Sequence, residues 1–169
     1  NRTIRENVQI ASSRPEVYEN IDRESPSREI EFMLKWYRRL SGRHILHIAN
    51  HTYWLDLDNI LRNDQLQVGG ARSIRGFNEN QFFTDFFSFF SLEYRLQLER
   101  NSYVFLFGDY AYLENNEGNT IIRPRSTGIG MNYGTKAGII SISYAIGTAE
   151  NIPFQPSRGR IHVGLINQF

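Results

Sequence analysis

From Asn80 to its end the chain alternates apolar and polar residues with a period of two, and it shows no helical period. Because successive side chains of a β-strand point to opposite faces, this alternation predicts a series of strands, each with one apolar face. Further upstream, residues 28–40 and 44–57 flank the turn Ser41-Gly42-Arg43 and predict a hairpin. The high aromatic share, 14%, is typical of β-rich proteins. We therefore expect an all-β fold.

The predicted connections alternate in length. Short turns are expected at 41–43, 100–102 and 134–136, and long loops at about 58–80, 114–120 and 147–158. In an antiparallel arrangement all short turns lie at one end of the strands and all long loops at the other. Transmembrane barrels of the bacterial outer membrane have this asymmetry. A soluble β-sandwich also alternates apolar and polar residues, so it stays open as an alternative.

The longest connection, residues 58–80, carries the sequence Gly69-Gly70-Ala71-Arg72-Ser73-Ile74-Arg75-Gly76-Phe77. Adjacent glycines permit backbone turns that a Cβ forbids. Long insertions in compact proteins are usually functional or disordered. We call the connection of about residues 58–80 the motif loop. We expect it to fold back and present Arg75 inside a barrel formed by the following strands.

An arginine in such an interior needs acidic partners, because an unpaired buried charge is costly. Glu93 and Asp109 are predicted on neighbouring strands and on the polar face of each. A planar guanidinium donates hydrogen bonds to two carboxylates at once. We predict that Arg75 pairs with both acids. Phe77 is expected to pack against one of the inward-facing rings, which are Phe87, Phe89 and Phe107.

These residues resemble a known superfamily. Ser73-Ile74-Arg75-Gly76-Phe77 is similar to the Arg-Gly-Phe motif of the BamA-like outer-membrane insertases and two-partner-secretion transporters. Two further segments are similar to that superfamily's twelfth- and thirteenth-strand motifs: Ser91-Leu92-Glu93-Tyr94 and Phe107-Gly108-Asp109-Tyr110-Ala111, with Ala111 where the family has glycine. The terminal Phe169 resembles the family's assembly signal.

The resemblance implies a transmembrane antiparallel β-barrel in which residues 1–169 supply the C-terminal strands of sixteen. The five strands predicted after the motif match the family's number. It also implies a place in the bacterial outer membrane and a role in folding and inserting other barrel proteins, with the lipid bilayer, unfolded outer-membrane proteins and accessory lipoproteins as partners. Insertion would occur at a seam formed by the last strand, residues 159–169, in which Gly164 permits a kink.

Three other functions stay open: a secretion transporter for a soluble passenger, the membrane anchor of an upstream lipase-like enzyme, and a passive pore. Tyrosine and tryptophan side chains are expected in the interfacial girdles of a barrel. These are Trp36, Tyr37, Trp54, Tyr94, Tyr110, Tyr112, Tyr133 and Tyr144.

The sequence argues against several kinds of chemistry. There is no cysteine, so no disulfide or thiolate site is available. His47 and His51 are too far apart along a strand to share a metal ion, and His44 adds no suitable spacing. No nucleophile elbow or nucleotide-binding turn occurs. With 19 basic and 18 acidic residues, the charge does not indicate nucleic-acid binding. We expect no catalytic residues, metal or cofactor.

Overall fold

The computed structural model describes residues 28–56, 64–116, 119–136 and 138–166. The expected all-β, antiparallel fold is confirmed for this part of the chain, which contains no α-helix and only one turn of 3₁₀ helix, Pro156–Arg158. The strands are β1 (Arg28–Ser41), β2 (His44–Asp56), β3 (Leu66–Val68), β4 (Phe82–Thr84), β5 (Phe86–Glu99), β6 (Ser102–Asn115), β7 (Thr120–Ile122), β8 (Arg125–Thr135), β9 (Gly138–Thr148) and β10 (Arg160–Ile166).

One large sheet has the order β1-β2-β5-β6-β8-β9-β10, with the short β7 paired to β6. Every long strand is antiparallel to its neighbours. As expected, the short turns therefore lie at one end of the strands and the long loops at the other. In the described part of the chain β1 and β10 are the two edges, and they are not paired with each other. No helix in this part of the chain is long and apolar enough to cross a membrane.

The strand predicted for residues 82–99 is interrupted at Asp85. β4 lies before the interruption and pairs with β3 in a separate two-stranded sheet. At the break, the backbone N–H of Asp85 donates to the carbonyl of Glu114, and its carbonyl accepts from Leu55 N–H, both at 2.9 Å. The buried carboxylate of Asp85 accepts the N–H of Asn116 at 2.7 Å. Asp85 thus fixes the point where the chain leaves the large sheet.

The two faces of the large sheet differ sharply. On the first, which we call the apolar face, exposed apolar side chains continue from strand to strand, as in the row Tyr94, Leu106, Ile129, Tyr144 and Ile161. On the second, the loop face, charged, small and aromatic residues follow one another, as in the row His47, Glu93, Phe107, Gly128 and Ala145. The described part of the motif loop, residues 64–80, contacts this face. The apolar and the polar residues that alternate in the sequence therefore lie on opposite faces of the sheet.

One predicted girdle residue lies on the other face. Tyr37 pairs with His47 in the β1–β2 register and stacks on its ring, with 4.4 Å between ring centroids. It therefore belongs to the loop face, because odd-numbered residues of β1 point to that side. The remaining predicted girdle residues alternate onto the apolar face.

Candidate functional site

The motif loop folds back on itself as expected. Gly69, Gly70 and Gly76 have φ angles of 123°, 97° and 85°, which residues with a Cβ rarely adopt. The N–H of Gly69 donates to Ser73 Oγ at 2.7 Å, and the N–H of Gly70 donates to the carbonyl of Ile74 at 3.0 Å. These bonds close a compact turn that directs the following residue, Arg75, onto the sheet.

The structure brings Arg75 together with both acids expected to bind it. Its Nε and Nη2 donate to the two oxygens of Asp109 at 2.8 and 2.7 Å, and its Nη1 donates to Glu93 Oε1 at 2.7 Å. Nη2 also donates to Ser91 Oγ at 3.0 Å, and Ser91 in turn donates to Asp109 Oδ1 at 2.7 Å. Three side chains of β5 and β6 therefore hold the guanidinium.

The cluster is largely shielded from solvent. The side chain of Arg75 is 11% exposed, that of Glu93 9% and that of Asp109 0%. Burial alone lowers the pKa of Arg75, but the hydrogen bonds and charges of Asp109 and Glu93 outweigh burial and hold that pKa above its usual range. Arg75 therefore keeps its charge at every physiological pH.

Aromatic rings form the floor under Arg75. Its Cζ lies 3.5 Å from the centroid of the Phe107 ring and 5.6 Å from that of Phe105. Stacking of a guanidinium on an aromatic face adds a cation–π attraction to the ion pairs. Gly128 and Gly130 on β8 leave room for these rings, since a Cβ there would lie 2.7 and 2.3 Å from their Cζ atoms.

A second arginine extends the cluster along β5. Arg95 donates from Nε to Glu93 Oε2 at 2.8 Å and from Nη2 to His47 Nδ1 at 2.9 Å. Its Cζ also lies 4.7 Å from the centroid of the Tyr103 ring. Two arginines and two carboxylates thus balance in charge, which lets them share a poorly hydrated site.

An apolar cluster anchors the loop beside the charges. Phe77 is 1% exposed and meets Phe82 edge to face, with ring centroids 5.1 Å apart. Phe87 belongs to the same buried cluster, and Phe89 packs at its margin. Phe107, the third ring proposed as a neighbour of Phe77, belongs to a separate cluster and lies under Arg75.

The last strand also holds the motif loop, and sequence reasoning missed this contact. The N–H of Gly76 donates to His162 Nε2 at 2.9 Å, and Arg160 Nη1 donates to the carbonyl of Gly76 at 3.1 Å. Arg160 Nε also donates to Asn78 Oδ1 at 2.8 Å. The alternation of β10 already placed both side chains on the polar face, but nothing in the sequence indicated which loop residue they would meet.

The other site residues have simpler surroundings. Gly164 pairs with Ser141 in the β9–β10 ladder, and a Cβ built on it would meet no atom within 4 Å. Phe169, the predicted assembly signal, lies outside the described residues. In the described ranges no three His, Asp or Glu side chains are grouped as a metal site.

Comparisons with known proteins leave the site to be interpreted from its geometry. No protein-family model matches the chain, and no curated protein is significantly similar to it. Fold and site together define an antiparallel all-β protein whose loop arginine is held by two acids on the polar face of its sheet.

Proposed function

We propose that this chain supplies the C-terminal strands of a transmembrane barrel in the bacterial outer membrane, and that the whole protein assists the folding and insertion of other barrel proteins. The observation that carries the proposal is the pairing of Arg75 with Glu93 and Asp109. It joins the three segments on which the resemblance to the BamA-like superfamily rests.

The apolar face supports a membrane location. Its side chains include Phe90, Leu106, Ile129, Ile142 and Val163, which are between 42% and 68% exposed. A contiguous apolar surface that spans seven strands is far larger than soluble monomers normally expose to water. β8 and β9 have 11 residues each, a length that crosses the hydrocarbon core when strands are tilted.

The loop face supports a barrel interior. It carries a charge-balanced cluster and buried hydroxyl and amide side chains, among them Ser126, Asn132 and Ser143. In this proposal the motif loop occupies the interior, and residues outside this sequence complete the sixteen strands. The free edge of β10 then offers N–H and C=O groups on which a substrate strand can pair. Accessory lipoproteins are further partners in the proposal.

A substitution of Arg75 tests this function. The full-length protein is reconstituted in lipid vesicles, and the folding rate of a urea-denatured outer-membrane protein is followed by its altered gel mobility. We expect R75A to lower that rate about tenfold, because removing one member of a buried ion pair costs well above the 1.4 kcal/mol that a factor of ten represents. Arg72 is exposed on the same loop, so R72A is the matched control and should fold substrate normally.

The parent protein and these variants also distinguish the insertase from two of the other functions, the secretion transporter and the pore. Equal folding rates in R75A, R72A and the parent protein would contradict an insertase that depends on the cluster. Loss of passenger export in R75A with normal barrel assembly would instead indicate a secretion transporter. Ion conductance in the parent protein without either activity would indicate a pore.

A further inference from the structure

Exposed cations gather at the short-turn end of the large sheet. We call this group the basic rim, and it consists of Arg38, Arg39, Arg43, Arg100 and Lys136. Glu99 is the one acidic residue among the described residues of these turns and their flanks, 38–43, 98–102 and 134–136. The whole chain has a net charge of only +1, so the cations are concentrated at this end. This surface takes no part in the motif-loop cluster.

The turns of the basic rim lie side by side. Gln97 N–H donates to the carbonyl of Arg43 at 2.8 Å, which ties the first turn to the second. The N–H of Gly134 donates to Ser102 Oγ at 3.1 Å, which ties the second to the third. Arg38 pairs with Leu46, and Leu46 pairs with Tyr94, so Arg38 lies on the apolar face close to the first turn. The three turns that carry the cations therefore lie next to one another.

The basic rim borders the apolar face directly. Leu40, Leu98 and Tyr133 are 51%, 45% and 52% exposed and lie next to the turns. Cations beside apolar side chains complement an amphiphile with an anionic head and hydrocarbon tails, whereas an acidic protein would use the cations alone. Basic residues near a membrane surface attract anionic lipids, by about 1 kcal/mol each in other systems.

The opposite end of the sheet has no such excess in its described part. There Arg123, Arg125 and Arg158 lie in segments that also carry the acids Glu79, Glu114 and Glu150, and the backbone N–H of Arg123 donates to both carboxylate oxygens of Glu150 at 2.9 and 3.1 Å. The two ends therefore present different charges to the two surfaces of a bilayer.

We propose that the basic rim binds the headgroups of anionic phospholipids whose acyl chains lie against the apolar face. This inference rests on the proposed membrane location and specifies the lipid at one end of the barrel. Arg38, which lies on the apolar face, and Arg43 and Arg100 at the first two turns donate the hydrogen bonds to the phosphate.

Tryptophan quenching by brominated lipids tests the inference. Trp36 lies on the apolar face of β1, five residues before Ser41 ends the strand, and it is 43% exposed. The full-length protein is prepared with Trp36 as its one tryptophan and reconstituted in phosphatidylcholine vesicles. The vesicles contain a minor fraction of brominated phosphatidylglycerol or, in a parallel sample, the same fraction of brominated phosphatidylcholine.

At low ionic strength we expect brominated phosphatidylglycerol to quench Trp36 about threefold more than brominated phosphatidylcholine does. High salt should remove most of this difference, because it screens the charges. In the triple variant R38Q/R43Q/R100Q, both brominated lipids should quench Trp36 equally. The triple variant R123Q/R125Q/R158Q changes the charge by the same amount elsewhere and should keep the preference.

The outcomes separate this inference from the proposed function. Equal quenching by both lipids in the parent protein, or an unchanged preference in R38Q/R43Q/R100Q, would overturn lipid binding at the basic rim while leaving the membrane location intact. No quenching by either lipid would overturn both, because Trp36 would then not face hydrocarbon.

Discussion

The R75M variant is expected to release the motif loop from the sheet. Methionine has a comparable length but no donor, so Asp109 retains only Ser91 of the partners described above, whereas Glu93 keeps Arg95. Removing one partner of a buried ion pair costs about 3–5 kcal/mol, and the loop can avoid that cost by detaching so that water reaches the acids. The apolar contacts of Phe77 oppose detachment but do not replace the lost charge.

Trypsin cleavage after Arg72 measures this release. Proteases cut a folded loop mainly when it opens, so the cleavage rate follows the opening equilibrium. A loss of about 3 kcal/mol raises the rate roughly a hundredfold. R158M, a neutral replacement of an exposed arginine far along the chain, is the control and should be cleaved after Arg72 as slowly as the parent protein. An unchanged rate in R75M would show that the cluster does not hold the loop.

The second large effect is expected from G147V, which alters the loop contact without touching a charge. A Cβ on Gly147 would lie 2.7 Å from the carbonyl oxygen of Gly76 and 2.8 Å from Phe77 Cε2. The backbone of Gly76 is hydrogen-bonded to His162 and Arg160, and the Phe77 ring is buried, so moving either one away disturbs other contacts. Overpacking of this kind typically costs 1–3 kcal/mol, so we expect cleavage after Arg72 to rise roughly tenfold.

A second glycine on the loop face provides the matched control for G147V. Gly164 lies on β10, and a Cβ on it would meet no atom within 4 Å. G164V should therefore leave the loop cleavage rate unchanged. Equal acceleration in both variants would mean that added β-branching in the sheet, not the Gly76–Gly147 contact, opens the loop.

The large strands were predictable because their signal is local. A period of two in β5, β6, β8, β9 and β10 sets the face of each side chain, and antiparallel order then places Glu93 and Asp109 on adjacent strands toward the same side. The partners of Arg75 follow from that parity together with the cost of an unpaired buried charge.

The remaining features depend on contacts between distant segments. The interruption at Asp85 is invisible in a run where Phe82, Phe83, Phe86 and Phe87 make both faces apolar. The roles of Ser91 and Phe107 depend on where the guanidinium comes to rest, and those of Arg160 and His162 on how the loop crosses to β10. Tyr37 was misplaced because aromatic type alone does not determine the face of a strand; its position relative to Trp36 does.

A double-mutant cycle between Arg75 and Asp109 tests whether this ion pair holds the motif loop on the sheet. The opening free energy of the motif loop is measured by trypsin cleavage after Arg72 in the parent protein, R75M, D109N and R75M/D109N. Because the two side chains share two hydrogen bonds, we expect a coupling energy of roughly 1–3 kcal/mol, with the double variant more stable than the two single changes added together would give. A coupling near zero would contradict this expectation, because the arginine and the acid would then contribute independently and no clamp would exist.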